Sequence, residues 1–209
     1  MTESRPRRPA LLGKAAMDSL GGSGDPAALT EAAHATASML VESGRTADDA
    51  AARGRLVALV DEVGLDTIAE LWAPRPPRSL PGALWRLYAL REWVRRESVE
   101  ISGDFVLGTV LAPVPHVVAG AADPPNPEAV RALVDQVLHG VFAGDLDVAL
   151  ERAGAFCRVV VAGRARRADD IEDSDPAAAA TLTRSAASLR DTAADLEAAA
   201  ALWRNQGLV

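Results

Sequence analysis

The sequence predicts an all-α fold, a helical bundle that ends in a long C-terminal heptad helix. Only 4% of the residues are aromatic, whereas alanine, leucine and valine are abundant, so the core is expected to be built from these three residue types on helices. Apolar residues also recur at helical spacing along most of the chain. Near the C-terminus two series fill both apolar positions of a seven-residue repeat: Leu182, Leu189, Leu196 and Trp203, and Ala179, Ala186, Ala193 and Ala200.

The N-terminal part divides into a tail and the start of the bundle. Residues 1–24 mix Pro, Arg, Gly and Ser and are predicted to be a disordered tail. The helical bundle domain is predicted over residues 25–163. Its first helix begins at the N-cap pair formed by Asp25 and Pro26, and Gly44 is expected to end it.

Two shorter helices follow in the prediction. Thr46 and Asp49 have the spacing of a capping box and begin a second helix, which reaches Gly64. Asp66 caps a third helix that ends near Trp72, because the prolines beyond it prevent its continuation.

A long fourth helix is predicted from about Leu80 to Glu97. Arg91 and Arg95 lie within or beside its apolar stripe and need carboxylate partners if they are buried. The stripe consists of Leu80, Ala83, Leu84, Leu87, Leu90 and Val94.

Residues 98–120 give a mixed pattern. Apolar residues alternate like a strand in the first half, and they have helical spacing in the second half. We expect a helix here, which Pro113 and Pro115 break or kink.

Two amphipathic helices come next, and their short connection predicts an antiparallel hairpin. The first begins after Asn126 and the second after Asp145. Their apolar stripes are Val130, Leu133, Val134, Val137, Leu138 and Val141, followed by Leu146, Ala149, Leu150, Ala153, Cys157 and Val160.

The C-terminal part is predicted to be a linker and an interaction helix. Residues 164–175 place three arginines directly before five acidic residues, a pattern that we interpret as a charged linker. Asp175 and Pro176 then start the heptad helix, predicted over residues 176–205.

Alanine at every second seam position of this helix requires a close-packed surface. Three surfaces fit this requirement from sequence alone: the protein's own bundle, for example along residues 26–43; a second copy of the chain; or a foreign partner. The flanking positions of the heptad are too mixed to choose among them.

The predicted long helix carries a second candidate surface. Two tryptophans and two arginines project roughly opposite its apolar stripe, and Trp and Arg are enriched at binding hot spots. The alternative is a central helix covered by its own neighbours. The partner-binding candidates are therefore Trp85, Trp93, Arg86, Arg96, Leu182, Leu189, Leu196 and Trp203.

No catalytic, cofactor-binding or metal-ligating residue is predicted. Cys157 is the single cysteine and lies on an apolar stripe, where a thiol behaves as a small hydrophobe. The three histidines lack metal-site spacing, and the Gly103 and Gly108 pair lacks the lysine of a P-loop. An enzyme with a site assembled from dispersed residues is accordingly the least favoured class.

The charge balance bears on nucleic acid and on membranes. A formal net charge of −7 argues against a surface that coats nucleic acid. Local phosphate contacts by Arg75, Arg78 and the arginines of residues 164–167 remain as an alternative. No stretch approaches the roughly 18 to 20 apolar residues of a membrane span, and residues 1–17 lack a signal-peptide core, so we expect a cytoplasmic protein without membrane contact.

The basic residues comprise 21 arginines and one lysine, Lys14, a bias typical of high-GC coding sequences. Together with the stretch LPGALWRLYALREWV, this composition resembles a family of small, uncharacterised helical proteins of high-GC actinobacteria. The resemblance implies an intracellular accessory role. We therefore expect a non-enzymatic helical adaptor or regulatory protein that acts through protein–protein contacts, binding a protein partner or self-associating through its C-terminal helix; the alternative is a nucleic-acid-associated regulator.

Overall fold

The computed structural model describes residues 25–46, 54, 57–58, 64–120 and 126–208. Within these ranges the chain forms eight helices and no strand, which confirms the prediction of an all-α bundle. The tail predicted over residues 1–24 and most of the second predicted helix lie outside the described residues. The helices are α1 (Pro26–Thr46), α2 (Leu65–Trp72), α3 (Leu80–Arg96), α4 (Ser98–Leu111), α5 (Pro113–Ala119), α6 (Pro127–Ala143), α7 (Leu146–Ile171) and α8 (Pro176–Arg204).

Side-chain caps form at some of the predicted helix starts and not at others. The cap predicted at Asp66 is wrong, because α2 begins at Leu65 after Gly64 and Asp66 lies within its first turn, and the Asp145 side chain makes no cap hydrogen bond although α7 begins directly after it. Asn126 Oδ1 accepts a hydrogen bond from the backbone N–H of Ala129 at 2.7 Å, and Asp175 Oδ1 accepts one from Ala178 at 3.0 Å. In both helices a proline occupies the first turn, where its missing N–H leaves no helix bond unmade. Each cap satisfies one backbone donor that the helix itself cannot pair.

Helix α7 lies at the centre of the bundle. Helices α4, α5, α6 and α8 pack against it, whereas α1 and α2 pack on the side of α3 and α6. The two apolar stripes predicted for α6 and α7 are buried along their whole length, as is the stripe predicted for α3. Apolar periodicity therefore identified the core faces of these three helices.

Arg91 lies in the buried stripe of α3 and has the carboxylate partner that the sequence demanded. Its side chain is buried, and its Nε lies 2.6 Å from Oδ1 of Asp135 on α6. The ion pair links α3 to α6. Without Asp135, the buried guanidinium of Arg91 would have lost its hydration with no opposite charge to replace it.

Residues 98–120 are helical, and α4 and α5 are separated only at Ala112. Proline at position 113 has no N–H and disfavours helical backbone in the preceding residue. Ala112 accordingly has φ −131° and ψ 63°, and Pro113 becomes the first residue of α5. The expected break at the prolines is observed.

The prediction of a charged linker over residues 164–175 was wrong for most of its length. Helix α7 continues to Ile171, and only residues 172–175 form the connection to α8. Arg166 pairs with Asp170 one helical turn later, at 2.9 Å, and other arginines of the segment reach carboxylates on α4. Opposite charges placed four residues apart stabilise a helix, which is why the charged block extends α7.

Helix α8 docks on the bundle of its own chain. All four alanines of its seam are buried, and the helix lies along α7 with α3 as its second neighbour. Gly154 of α7 allows the close approach, since a Cβ there would lie 3.0 Å from the Glu197 side chain and 3.3 Å from the Ala193 carbonyl oxygen. The need for a close-packed surface was predicted correctly, but that surface is α7 and not residues 26–43. Of the helices that the structure describes, none is both long enough and apolar enough to cross a membrane.

Candidate interaction surface

The heptad residues face the protein's own core. Leu196 is fully buried, and Leu189 and Trp203 are half-buried against the core, as Leu182 is half-buried beside it. These four side chains are used to fasten α8 within the chain. The structure therefore places this group of partner-binding candidates at an internal contact.

The two candidate tryptophans of α3 are also partly covered. Trp85 and Trp93 are half-buried and pack against the core, and residues of α8 line the cleft beside them. Trp93 Nε1 donates a hydrogen bond to Glu97 Oε2 at 2.7 Å, and the guanidinium of Arg164 lies over its ring at 5.1 Å from the centroid. Neither indole is fully buried, so both remain available at the edge of that cleft.

The candidate arginines of α3 make ion pairs within the chain. Arg86 reaches Asp195 of α8 at 3.5 Å, and Arg78 reaches the same carboxylate at 3.3 Å. Burial lowers the pKa of Arg86, while the charge of Asp195 opposes this shift. Arg96 pairs with Glu92 of its own helix at 2.7 Å. Arg86 thus helps to hold α8 against α3.

The arginines considered for phosphate contacts are similarly engaged. Arg164 and Arg167 pair with carboxylates of α4, Arg166 pairs within α7, and Arg78 pairs with Asp195. Arg75 donates a hydrogen bond to the hydroxyl of Thr30. Nucleic-acid binding by these residues stays a prediction that would require them to exchange their present partners.

Among the described residues, the most exposed apolar surface lies on α4 and α5, where sequence analysis placed no candidate residue. Three of its valines are almost as accessible as in an extended chain, with 83% exposure for Val110, 76% for Val117 and 72% for Val114. We call this surface the α4–α5 face. It consists of Val106, Leu107, Val110, Leu111, Val114, Val117 and Val118.

The opposite side of these two helices explains why the face points outward. Phe105 is fully buried and stacks on Phe156 of α7 at a centroid distance of 5.3 Å. His116 of α5 packs edge-on against the same Phe105 ring at 5.8 Å. Phe105 and Gly108 of α4 both face α7. Val106 and Leu107, which lie between them in the chain, therefore face away from α7.

Charge is excluded from the α4–α5 face. Residues 105–120 contain no Asp, Glu, Lys or Arg. The two carboxylates earlier in α4 are engaged elsewhere, since Glu100 pairs with Arg167 and Asp104 pairs with Arg164. The surface is therefore both apolar and neutral.

A cleft of about 270 Å³ borders the face where α5 meets α7 and α8. Its charged rim comprises Glu151, which pairs with Arg204 of α8, and a bidentate ion pair, in which Arg158 donates to the two carboxylate oxygens of Glu197 at 2.9 and 2.7 Å. The hydrogen bond to Glu197 raises the pKa of Arg158. The neutrality of the face thus extends to its border, where the apolar wall is formed by Val114, Pro115, Val118 and Ala155.

One signal in the sequence marks this surface in retrospect. A surface helix normally carries polar residues on its outer side, whereas residues 105–120 are apolar or small on every side except at His116, which packs on Phe105, and they are too few to span a membrane. Mixed periodicity in residues 98–120 arose because apolar residues occupy both the buried and the exposed side of α4. Periodicity alone does not reveal which of two apolar sides is covered.

The groups with chemical reactivity do not converge. Cys157 is fully buried, and this burial raises the pKa of its thiol to about 12. Among the described residues, no group of three or more His, Cys, Asp and Glu side chains is arranged to hold a metal ion.

We expect Cys157 to resist iodoacetamide in the folded protein and to react rapidly in urea. The thiolate is the reactive form, and burial suppresses both thiolate formation and access of the reagent. The measurement is the mass increase of intact protein over time, with and without denaturant. Equal labelling rates in the two states would contradict the buried position.

The raised pKa of the Cys157 thiol also predicts a loss of stability at alkaline pH. Between its ordinary pKa of 9.0 and the folded value of about 12, the thiol is ionised in the unfolded chain and protonated in the folded one. The unfolded state then binds fewer protons, so the free energy of unfolding falls as the pH rises through this window. Cys157→Ala should remove this part of the slope.

The fold and the α4–α5 face define the class of this protein, which is an all-α helical bundle with an uncovered apolar surface. No protein-family model, no curated protein and no solved structure matches this chain. The resemblance to actinobacterial proteins therefore stays a prediction.

Proposed function

We propose that this chain is a non-enzymatic helical adaptor that acts through protein–protein contacts, with the α4–α5 face as its contact surface. The observation that carries the proposal is the exposure of seven large aliphatic side chains within a run that has no charged residue. Exposed apolar patches of this kind mark interaction sites, because covering them removes apolar surface from water.

The size of the face suits a specific complex. Its fractional exposures correspond to apolar surface on the order of 700 Å², against roughly 300–600 Å² for the largest patch on a typical monomer and roughly 800 Å² contributed by each partner to a standard interface. A partner that covered this face would therefore bury an area close to that of a standard interface.

A second copy of the chain is the proposed occupant. In a two-fold dimer the same face meets itself, and each apolar side chain finds another apolar side chain. Each copy carries a formal charge of −7, so copies repel each other over most of their surface. The neutral α4–α5 face is where two copies can approach without burying an unpaired charge.

This proposal moves the expected self-association from α8 to α4 and α5. The alanine seam of α8 already lies against α7, so pairing through it would require α8 to leave its own bundle. The α4–α5 face needs no such rearrangement. A cytoplasmic location is part of the same proposal, supported by the single cysteine, which rules out an intrachain disulfide.

The test is the oligomeric state of the double variant Val110→Asp, Val117→Asp. We expect the wild-type protein to sediment as a dimer at micromolar concentration and the variant to be monomeric, with dissociation constants that differ by roughly a hundredfold or more. Carboxylates at these positions would be desolvated in the dimer against apolar side chains, with no opposite charge on the face to pair with them.

Met39→Asp is the control, because it also places a carboxylate at an exposed apolar position, 60% accessible, on α1 and away from the α4–α5 face. It should leave the dissociation constant unchanged, and circular dichroism should show the same helix content in all three proteins. A wild-type protein that stays monomeric up to high micromolar concentration, or a double variant that still dimerises, would refute the proposal.

A further inference from the structure

The α4–α5 face is elongated, because α4 and α5 follow one another along α7. Arg167 of α7 pairs with Glu100, near the start of α4. Arg152 of α7 donates a hydrogen bond to the carbonyl oxygen of Ala119, at the end of α5. The two helices therefore run antiparallel to α7, and the face, residues 106–118, has an α4 end and an α5 end.

The two ends of the face differ in shape. At the α5 end, Val114 and Val118 also line the cleft of about 270 Å³ between α5, α7 and α8, which we call the α5–α8 cleft. At the α4 end, Leu107 is 41% exposed and faces away from α7. An apolar cavity of roughly 150 Å³ accommodates a benzene molecule, so the α5–α8 cleft has room for a leucine side chain.

Leu107 lies on the same side of the face as the α5–α8 cleft. Val114 and Val118 follow Leu107 by seven and eleven residues, close to two and three helical turns. Phe105 and Ala119 are close to four turns apart and are both fully buried, so the helical phase is kept across the break between α4 and α5. The three aliphatic side chains therefore form one stripe, which borders the cleft at its α5 end.

Two copies of the face can meet about a two-fold axis in two ways, since this axis lies in the plane of contact. With the axis along α4 and α5, like ends meet, and the α5–α8 cleft of one copy faces the same cleft of the other. With the axis across them, opposite ends meet, and Leu107 of each copy lies over the cleft of the other. An apolar cavity without an occupant loses the contacts of its lining, so the first arrangement leaves two voids that the second fills.

We propose that opposite ends of the face meet in the dimer and that Leu107 of each copy occupies the α5–α8 cleft of the other. This inference rests on the proposed function, because it requires the α4–α5 face to be the dimer contact. The charged groups at the rim of the cleft have partners within the chain. Arg158 pairs with Glu197, and Glu151 pairs with Arg204. An apolar side chain that enters the cleft therefore meets no unpaired charge there.

The arrangement is tested by crosslinking cysteines of the full-length protein with a short bismaleimide. Leu107→Cys and Val118→Cys are prepared separately, and the native Cys157 is too deeply buried to react. We expect crosslinked dimers when the two variants are mixed, and few or none when either variant is treated alone, because only opposite ends are in contact. The intact mass of the product identifies one copy of each variant.

Met39→Cys is the control for crosslinking, since it places a cysteine at an exposed position of α1. Mixed with Val118→Cys, it should give no crosslinked dimer. Crosslinking of either variant alone as efficient as that of the Leu107→Cys and Val118→Cys mixture would show that like ends meet, and would overturn the inference. The absence of a crosslinked product from that mixture, in a protein that sediments as a dimer, would also overturn it.

Leu107→Ala tests the occupant of the cleft. We expect the dissociation constant of the dimer to rise about tenfold or more, because each dimer loses two buried leucine side chains. Val99→Ala is the control, since Val99 is 74% exposed on the same helix but lies outside the face, and it should dimerise like the wild type. An unchanged dissociation constant for a folded Leu107→Ala protein would contradict the inference. A wild-type protein that is monomeric by sedimentation would instead refute the proposed function, and this inference with it, so the two failures are distinguishable.

Discussion

Gly163→Ala is expected to destabilise the protein by about 3 kcal/mol or more, whereas Gly103→Ala should stabilise it by roughly 0.5–1 kcal/mol. A Cβ at position 163 of α7 would lie 1.7 Å from the carbonyl oxygen of Asp104 and 2.9 Å from the backbone nitrogen of Gly108, both on α4. A Cβ at Gly103 meets nothing within 4 Å, so alanine there only improves the helix propensity of α4.

The expected effect is large because the clash is with backbone atoms. A side chain that is too close can rotate away, but a carbonyl oxygen moves only with its helix. Helices α4 and α7 would have to separate, and the stacking of Phe105 on Phe156 would be lost with them. Gly108→Ala should behave like Gly163→Ala, since its Cβ would lie 1.9 Å from the Val159 carbonyl oxygen.

Urea unfolding followed by circular dichroism measures these differences as shifts in the transition midpoint. Gly103→Ala is a matched control because it makes the same substitution on α4, the helix that α7 crosses, at a position where a Cβ meets nothing within 4 Å. A Gly163→Ala protein with wild-type stability would contradict the close crossing of α4 and α7.

These glycines show where sequence analysis stops. In the sequence, Gly103 and Gly108 were weighed as a phosphate-loop spacing, and residue 163 was the predicted end of the helical bundle domain, directly before the charged linker. A glycine that ends a helix and a glycine that admits a neighbouring backbone have the same local signature. Only the crossing of two helices distant in the chain distinguishes them.

The successful predictions depend on local periodicity, whereas the others depend on contacts between residues far apart in the chain. The buried stripes of α3, α6 and α7 and the alanine seam of α8 follow from the 3.6-residue period and were predicted residue by residue. The charged block of residues 164–171 was misread because its partners, Glu100 and Asp104, are some 60 residues away. The α4–α5 face was missed because exposure depends on which helices remain to cover it.

Arg164→Met is expected to destabilise the protein by about 3 kcal/mol, the low end of the range for breaking a buried ion pair. Asp104 is fully buried, and Arg164 Nε donates to its Oδ2 at 2.8 Å. Without Arg164 this carboxylate keeps only the contact of Oδ1 with Arg167 at 3.1 Å. That remaining contact is why the low end of the range is expected.

Arg158→Met is the matched control. Arg158 also makes an ion pair across helices, but the side chains of this pair are 33% exposed at Arg158 and 41% exposed at Glu197. Water can solvate Glu197 when its partner is removed, so the expected loss is about 1 kcal/mol or less. A similar loss in both variants would show that burial of Asp104 does not decide the cost.

The pH dependence of the unfolding free energy of Arg164→Met is a second test of whether the unpaired carboxylate of Asp104 causes the loss of stability. Desolvation raises the pKa of Asp104 even in the wild type, and Arg164 is the main group that opposes the shift. Removing Arg164 therefore raises the pKa of Asp104 further. The folded variant then binds a proton that the unfolded chain does not, and its stability rises as the pH falls through the folded pKa towards the ordinary value of 3.8.

The difference in unfolding free energy between wild type and Arg164→Met should consequently shrink at mildly acidic pH, while the difference for Arg158→Met stays nearly constant. Urea titrations at neutral pH and at about pH 5 measure both. A pH-independent loss in Arg164→Met would mean that the variant is destabilised by lost packing of the long arginine side chain against Trp93, and not by an unpaired carboxylate. Because Asp104 and Arg164 join α4 to α7, the outcome also shows whether an ion pair or packing alone stabilises the contact between these two helices.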